Sequence, residues 1–243
     1  MKHRTAFLFN NAKQSTLDML SYKMGDSEFM GIGGKALQAR SNLLYLELAS
    51  QFDFKPVSFY ANGLIYGAID QKRLKHMQKR CVTIRAAGIK IIPWLFTDDS
   101  PNIAKCSTEQ KKAYIKQALQ YFDAYAVEYV LALEANEYMG FDQVRVLADY
   151  FKTLSSKPLG LHLTPGKCDW SAQIKSIDTH YHQYGWGKSP SQIASMTKSV
   201  IASVKKPVIA CEYNKSCEKA DAKAQGDAAL ASGAAGTGCG ATI

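Results

Sequence analysis

The chain has 243 residues, 47% hydrophobic and 21% charged, with 30 Lys and Arg against 21 Asp and Glu for a formal net charge of +9. That length is enough for a sizeable core and for one closed barrel of alternating strands and helices. The composition is ordinary globular usage, which gives no reason to invoke disorder, and a single domain over residues 1–243 is the default expectation. No apolar run is long enough to span a bilayer, and Ala6-Phe7-Leu8-Phe9 is too short for the core of a secretory signal.

Without an export address, the sequence fits a cytoplasmic protein, one released by lysis, or one delivered as part of a larger particle. Its lysines are spread over predicted helices, as at Lys72, Lys75 and Lys79 or Lys111, Lys112 and Lys116. Mostly this is a solvated outer face, but a field of that sign also attracts an anionic polymer. No nucleic-acid motif is present, so the expected partner is a carbohydrate, anionic polysaccharide included, bound by a monomer. Six cysteines, at 81, 106, 168, 211, 217 and 239, show no C-x-x-C pair and no zinc-type spacing. They fit reduced thiols, with a Cys211 to Cys217 bridge left open, and no cofactor is implied.

The first strand-like run, residues 4–10, is followed by a long insertion containing Met30-Gly31-Ile32-Gly33-Gly34. This follows no strand and matches neither G-x-G-x-x-G nor a Walker loop, so it reads as a flexible loop over a barrel mouth. Leu43, Leu44, Leu46, Leu48 and Ala49 mark a helix before a second strand at 56–61. Leu74, Met77, Cys81, Ile84 and Ala87 recur at helical spacing and lead to a third strand at 89–96. The turn after it holds Asp98, Asp99 and Ser100-Pro101-Asn102. Ser107-Thr108-Glu109-Gln110 then reads as a capped helix start, ahead of Tyr114, Ile115, Ala118, Leu119 and Phe122.

A fourth strand at 127–133 precedes a helix marked by Val144, Leu147, Ala148 and Phe151, and a fifth and a sixth strand follow at 158–162 and 177–182. Ser189-Pro190-Ser191 opens the next helix, marked by Ile193, Met196, Val200 and Ile201, before a seventh strand at 207–212. The Ala- and Gly-rich stretch 228–240 reads as a packed helix and a last strand at 234–239. Strand alternating with helix predicts a compact α/β fold, a single (β/α)8 TIM barrel with its final helix missing. The alternative, an open doubly wound sheet, would show a Gly-rich phosphate loop after the first strand, and none follows Asn10.

Two of these strands run directly into acids. The run from Tyr129 to Leu133 leads to Glu134-Ala135-Asn136-Glu137, and that from Val208 to Cys211 leads to Glu212-Tyr213-Asn214. A strand buried on both faces has no cheap place for a carboxylate, so an acid at its end is expected to face a polar cleft. Two carboxylates in different environments can divide acid and nucleophile roles, which is what glycosidic bond cleavage requires.

Asn136-Glu137 after the fourth strand, His182-x-Tyr184 after the sixth and Glu212 after the seventh together resemble the clan A (β/α)8 glycoside hydrolases, the family 5 cellulases and mannanases among them. The resemblance implies a retaining hydrolase of a poly- or oligosaccharide that needs no cofactor. It implies Glu137 as acid/base, Glu212 as nucleophile, Asn136 on the sugar hydroxyl beside the anomeric carbon, and His182 and Tyr184 orienting Glu212 and the sugar. The chain departs from the family at three points. No Pro follows Glu137, no arginine stands near the end of the second strand, and no tryptophan ends the eighth.

Other readings stand beside this one. Glu137 could be an exposed loop acid, and Glu134 competes with it, because strict alternation puts Glu134 and Asn136 on one face and Glu137 on the other. The strand must therefore end or bulge if Asn136 and Glu137 are both to face a cleft. Glu212 could instead pair with a lysine such as Lys215. His180 and His182 with His162 could ligate a metal, giving a metal-dependent barrel hydrolase, and a non-catalytic carbohydrate-binding barrel is also possible. Trp94, Trp170, Trp186 and Tyr213 fall near strand ends, where aromatic faces could stack on sugar rings; with Asn136, His180, His182 and Tyr184 they form the expected substrate-binding set.

Overall fold

The structure is a computed structural model that describes residues 3–8, 56–61, 63–65, 67–86, 90–96, 101–167, 169–214 and 220–238. Eight parallel strands close into a barrel. They are β1 (His3–Leu8), β2 (Pro56–Tyr60), β5 (Lys90–Phe96), β6 (Tyr129–Ala132), β7 (Leu159–Leu163), β8 (Thr179–Gln183), β9 (Val208–Cys211) and β10 (Gly236–Gly238). Pairing follows chain order, and β1 closes the ring between β10 and β2. A short hairpin of β3 (Leu64–Ile65) and β4 (Ala68–Ile69) follows β2. Parallel neighbours need crossovers, and among the described residues five long helices lie in them. These are α1 (Gln71–Ala86), α3 (Thr108–Phe122), α4 (Phe141–Leu154), α6 (Pro190–Val204) and α7 (Ala220–Ala231).

The start of two of these helices is set by local chemistry. Ser107 Oγ accepts from the Gln110 peptide N–H at 3.2 Å while Gln110 Oε1 accepts from the Ser107 N–H at 2.8 Å, a reciprocal cap worth about 1 kcal/mol. Ser189 and Gln192 repeat it ahead of Pro190, and α6 stops where Lys205 turns left-handed at φ 53°. The helix of α3 buries Tyr114, Ile115, Ala118, Leu119 and Phe122, the stripe its spacing predicts.

All eight predicted strands are present, with ends shifted by one or two residues. Four features among the described residues are additional. They are the β3–β4 hairpin, α2 (Pro101–Lys105), whose start the sequence assigned to a solvated turn, a 3-10 turn at Ala135–Glu137, and α5 (Asp169–Gln173). Each is too short to show a hydrophobic period. The Gly-rich loop at 30–34, the helical segment at 43–49, Asp98, Asp99 and the stretch after Gly238, where the missing final helix was expected, lie outside the described residues. Among the described residues no helix is long and apolar enough to cross a membrane. Cys81 and Cys211 are buried free thiols, and Cys106 is buried.

Side-chain parity along the strands decides what the barrel encloses. Inside lie Tyr60, Ile92, Trp94, Val130, Leu133, Tyr181, Ile209 and Cys211. Leu159, Leu161 and Leu163 of β7 instead join the outer layer beneath the helices, which leaves Gly160 and His162 on the inner face. Trp94 is the hub of the interior, with ring centroids 5.4 Å from Tyr60, 5.3 Å from His162 and 5.4 Å from Tyr181.

At the opposite end from the strands' C-termini, Glu128 is buried just before β6, and its Oε1 has no hydrogen-bond partner. Burial, with Asp178 adding a little, pushes its pKa up to about 7 against the opposing pull of Thr179, Tyr181 and Lys152. Gly160 makes this corner possible, since a Cβ there would come within 2.7 Å of Tyr181 Cδ2.

Candidate active site

Glu212 is the first residue beyond β9, and its carboxylate side chain is 9% exposed. Its peptide N–H donates to the Gly238 carbonyl at 3.0 Å, so pairing with β10 holds the backbone in place as it turns left-handed at φ 49°. For a residue with a Cβ that conformation costs about 1–2 kcal/mol. The turn takes Glu212 out of strand alternation. Gln183 at the end of β8 donates from Nε2 to Glu212 Oε2 at 2.8 Å, and His162 Nε2 stands 3.9 Å from Oε1.

A matching turn follows β6. The strand ends at Ala132, Glu134 turns left-handed at φ 43°, and Ala135–Glu137 forms a single 3-10 turn. Asn136 is held to the end of β7 from both sides of its amide. Its Nδ2 donates to Thr164 Oγ1 at 2.6 Å, and its Oδ1 accepts the Thr164 N–H at 3.0 Å. Glu137 is exposed on this turn, whereas Glu134 is half-buried.

His162 connects the two turns. The Glu134 peptide N–H donates to His162 Nδ1 at 3.0 Å, so the neutral ring carries its proton on Nε2, the atom that faces Glu212. Burial, with smaller contributions from His180 and His182, pulls its pKa well below the usual histidine value and keeps the ring neutral.

The other expected site residues are placed as follows. Tyr181 and Gln183 take the inner face of β8, so His180 and His182 face outward. There His180 Nδ1 meets Ser171 Oγ of α5 at 2.8 Å, and its Nε2 meets His182 Nδ1 at 3.1 Å. The His182 ring stands edge-on to Tyr184, whose hydroxyl bonds Thr197 Oγ1 of α6 at 2.7 Å. Tyr213 packs with Tyr184, Ile193, Ala210 and Ala229 in the same outer layer.

These four residues therefore sit between the barrel wall and the helices. The position beside Glu212 that His182 and Tyr184 were expected to fill is taken by Gln183. The metal reading fares similarly, because His162 is on the inner face and His180 and His182 are on the outer. Among the described residues no three His, Cys, Asp or Glu side chains converge to hold an ion.

The tryptophans separate in the same way. Trp94 is fully buried in the barrel below the mouth, and Trp170 is half-buried with its ring edge-on to Phe141 at 5.7 Å. Trp186 is 38% exposed in the loop after β8, between Gly185 at φ 72° and Gly187 at φ 75°. Gln225 of α7 ties this loop down. Its Nε2 donates to the Lys188 carbonyl, and its Oε1 accepts from Asn214 Nδ2 at 2.8 Å.

No known protein-family profile and no curated protein sequence matches the chain. Solved structures do. An exo-β-1,4-mannosidase from Opitutaceae bacterium strain TAV5 superposes with a TM-score of 0.58 at 13% identity, over 97% of this chain and 51% of that one. A GH113 β-1,4-mannanase gives 0.59 at 11% identity, over 98% of this chain and 88% of that one. GH5_18 from Streptomyces cattleya, solved with GlcNAc, gives 0.60 at 13% identity, over 98% and 70%. The chain thus spans about half the length of the mannosidase and most of the length of the other two. At such identities the likeness establishes the fold, an α/β barrel.

Proposed function

We propose that the chain is a retaining glycoside hydrolase acting on a poly- or oligosaccharide, with Glu212 as nucleophile and Glu137 as acid/base. The observation that carries this reading is the setting of Glu212. It is a nearly buried carboxylate at the mouth end of the seventh barrel strand, in a strained backbone state, with two neutral nitrogen groups around its oxygens. An amide donor orients the carboxylate, which suits attack on an anomeric carbon. Glu137 would protonate the leaving oxygen as the Glu212–sugar bond forms. It would then draw the proton from a water that releases the sugar and restores both carboxyl groups.

Glu134 is the second reading for the acid. It is half-buried and its backbone is hydrogen-bonded to the histidine that faces Glu212, whereas Glu137 is exposed. A partly buried carboxyl is more easily kept protonated than an exposed one.

The test is reducing-sugar release from a panel of β-linked glycans, with and without chelator, by the wild type and by Glu212→Gln. Release that survives chelator and disappears in the variant, with sugar binding retained, supports the reading. Release by Glu212→Gln at the wild-type rate removes Glu212 from the mechanism. Binding without release by the wild type leaves a carbohydrate-binding barrel.

A further inference from the structure

The His162 side chain is fully buried, its Nδ1 is committed to the Glu134 peptide, and its Nε2 has no hydrogen-bond partner. A buried N–H left unpaired costs free energy, and the group facing this one is the Glu212 carboxylate at 3.9 Å. That gap is longer than a hydrogen bond, and a movement of under about 1 Å by either side chain would close it. The imidazole cannot rotate to another partner without giving up Glu134, and Trp94 packs against its ring at 5.3 Å.

We propose that His162 is a positioning residue for the nucleophile, a neutral Nε2–H donor of fixed tautomer aimed at Glu212 Oε1, through which the backbone of the acid-bearing turn is coupled to the nucleophilic carboxylate. This rests on the reading of Glu212 as nucleophile. Gln183 holds Oε2 and His162 addresses Oε1, so the plane of the carboxylate is fixed from both ends. His162 from β7, Gln183 from β8 and the Cys211 thiol preceding it lie around the carboxylate, and burial keeps that thiol protonated. His180 and His182 lie across the sheet from His162 and oppose any charge on it. His162 and Gln183 thus orient the carboxylate as neutral dipoles.

Two substitutions separate the two ends of the ring. In His162→Asn the amide oxygen can still accept the Glu134 N–H, but the side chain is too short to reach Glu212. In His162→Gln an amide N–H returns near the position of Nε2. The readout is the carboxyl titration of Glu212, followed by carbon NMR of protein with labelled glutamate and assigned by its loss in Glu212→Gln. Nitrogen NMR of the wild-type imidazole reports the tautomer.

The expected results are a neutral Nε2–H tautomer in the wild type, a Glu212 pKa raised by about one unit in His162→Asn, a tenfold change in proton affinity, and its return towards the wild-type value in His162→Gln. In kinetics the acidic limb of kcat/KM should follow the same shift, with KM little changed. An Nδ1–H tautomer, or an unmoved Glu212 titration in His162→Asn, overturns the proposal. If that variant does not fold, the wild-type tautomer decides it. The titration needs no substrate, so an inactive protein whose Glu212 still answers to His162 would overturn the hydrolase reading alone. An active enzyme with an unmoved titration would overturn only the role of His162.

Discussion

Glu134 and Glu212 share a backbone state that few residues with a Cβ adopt, at φ 43° and 49°, and each lies just past the mouth end of a barrel strand. The third such residue among those described, Lys205, merely ends a helix. Left-handed turns of this kind persist where the surroundings over-determine them. Here β10 pairing fixes the Glu212 backbone, and the His162 ring fixes that of Glu134.

The acid can be identified by leaving-group dependence. Glu137→Gln is expected to lower turnover of natural glycans by roughly 100-fold or more, while an aryl glycoside that needs no proton loses far less and regains rate with azide. The same pattern in Glu134→Gln, with Glu137→Gln near the wild type, would move the role to Glu134. Equal losses on both substrates in both variants would count against either.

Trp186 stands exposed in the loop after β8, the strand paired with the one that leads to Glu212. Trp186→Ala is expected to raise KM by roughly tenfold, about 1.4 kcal/mol of binding, with kcat and melting temperature little changed. An unchanged KM across a series of oligosaccharide lengths would remove this ring from the cleft.

Gly160→Ala should destabilise by about 1–3 kcal/mol, because the new methyl meets the Tyr181 ring and Trp94 blocks the ring's retreat. Gly140→Ala is the control, since nothing lies within 4 Å of its Cβ position and its φ is −79°. Denaturant midpoints of the two variants check this, and equal midpoints would contradict it.

Glu128 makes stability fall with rising pH. Its folded pKa of about 7 lies above the ordinary value of 4.5, so the folded protein holds the proton more tightly. The stability this brings is fully present below about pH 4.5 and is lost as pH rises through 7, a swing on the order of 2–3 kcal/mol. Glu128→Gln should flatten that part of the profile and melt higher than the wild type at pH 8. A thermal-melt series from pH 5 to 8 that runs parallel in both proteins would exclude the effect.

The barrel was legible in the sequence because strands buried on both faces read as short apolar runs, and a serine with a glutamine three residues on marks a helix start. Facing was not legible, for the same reason. In Thr179–Gln183 both sets of alternate residues are plausible on either side, and only the packing of Tyr181 on Trp94 shows that the histidines face out and Gln183 faces in. A neutral amide gives no chemical signal of its own, so Gln183 was missed. Reading β8 for parity from Tyr181 would have exposed it. Glu134 and Glu137 could not be ranked either, since the sign of a backbone dihedral between them is not written in residue type.

The amide of Gln225 touches both the Trp186 loop, at Lys188, and the segment of Glu212, at Asn214. α7 is thus a latch across two of the mouth's loops. Whatever loosens α7 frees the Trp186 loop and the Glu212 segment together, so slow exchange of amide hydrogens in the two loops should share a single opening event with that helix.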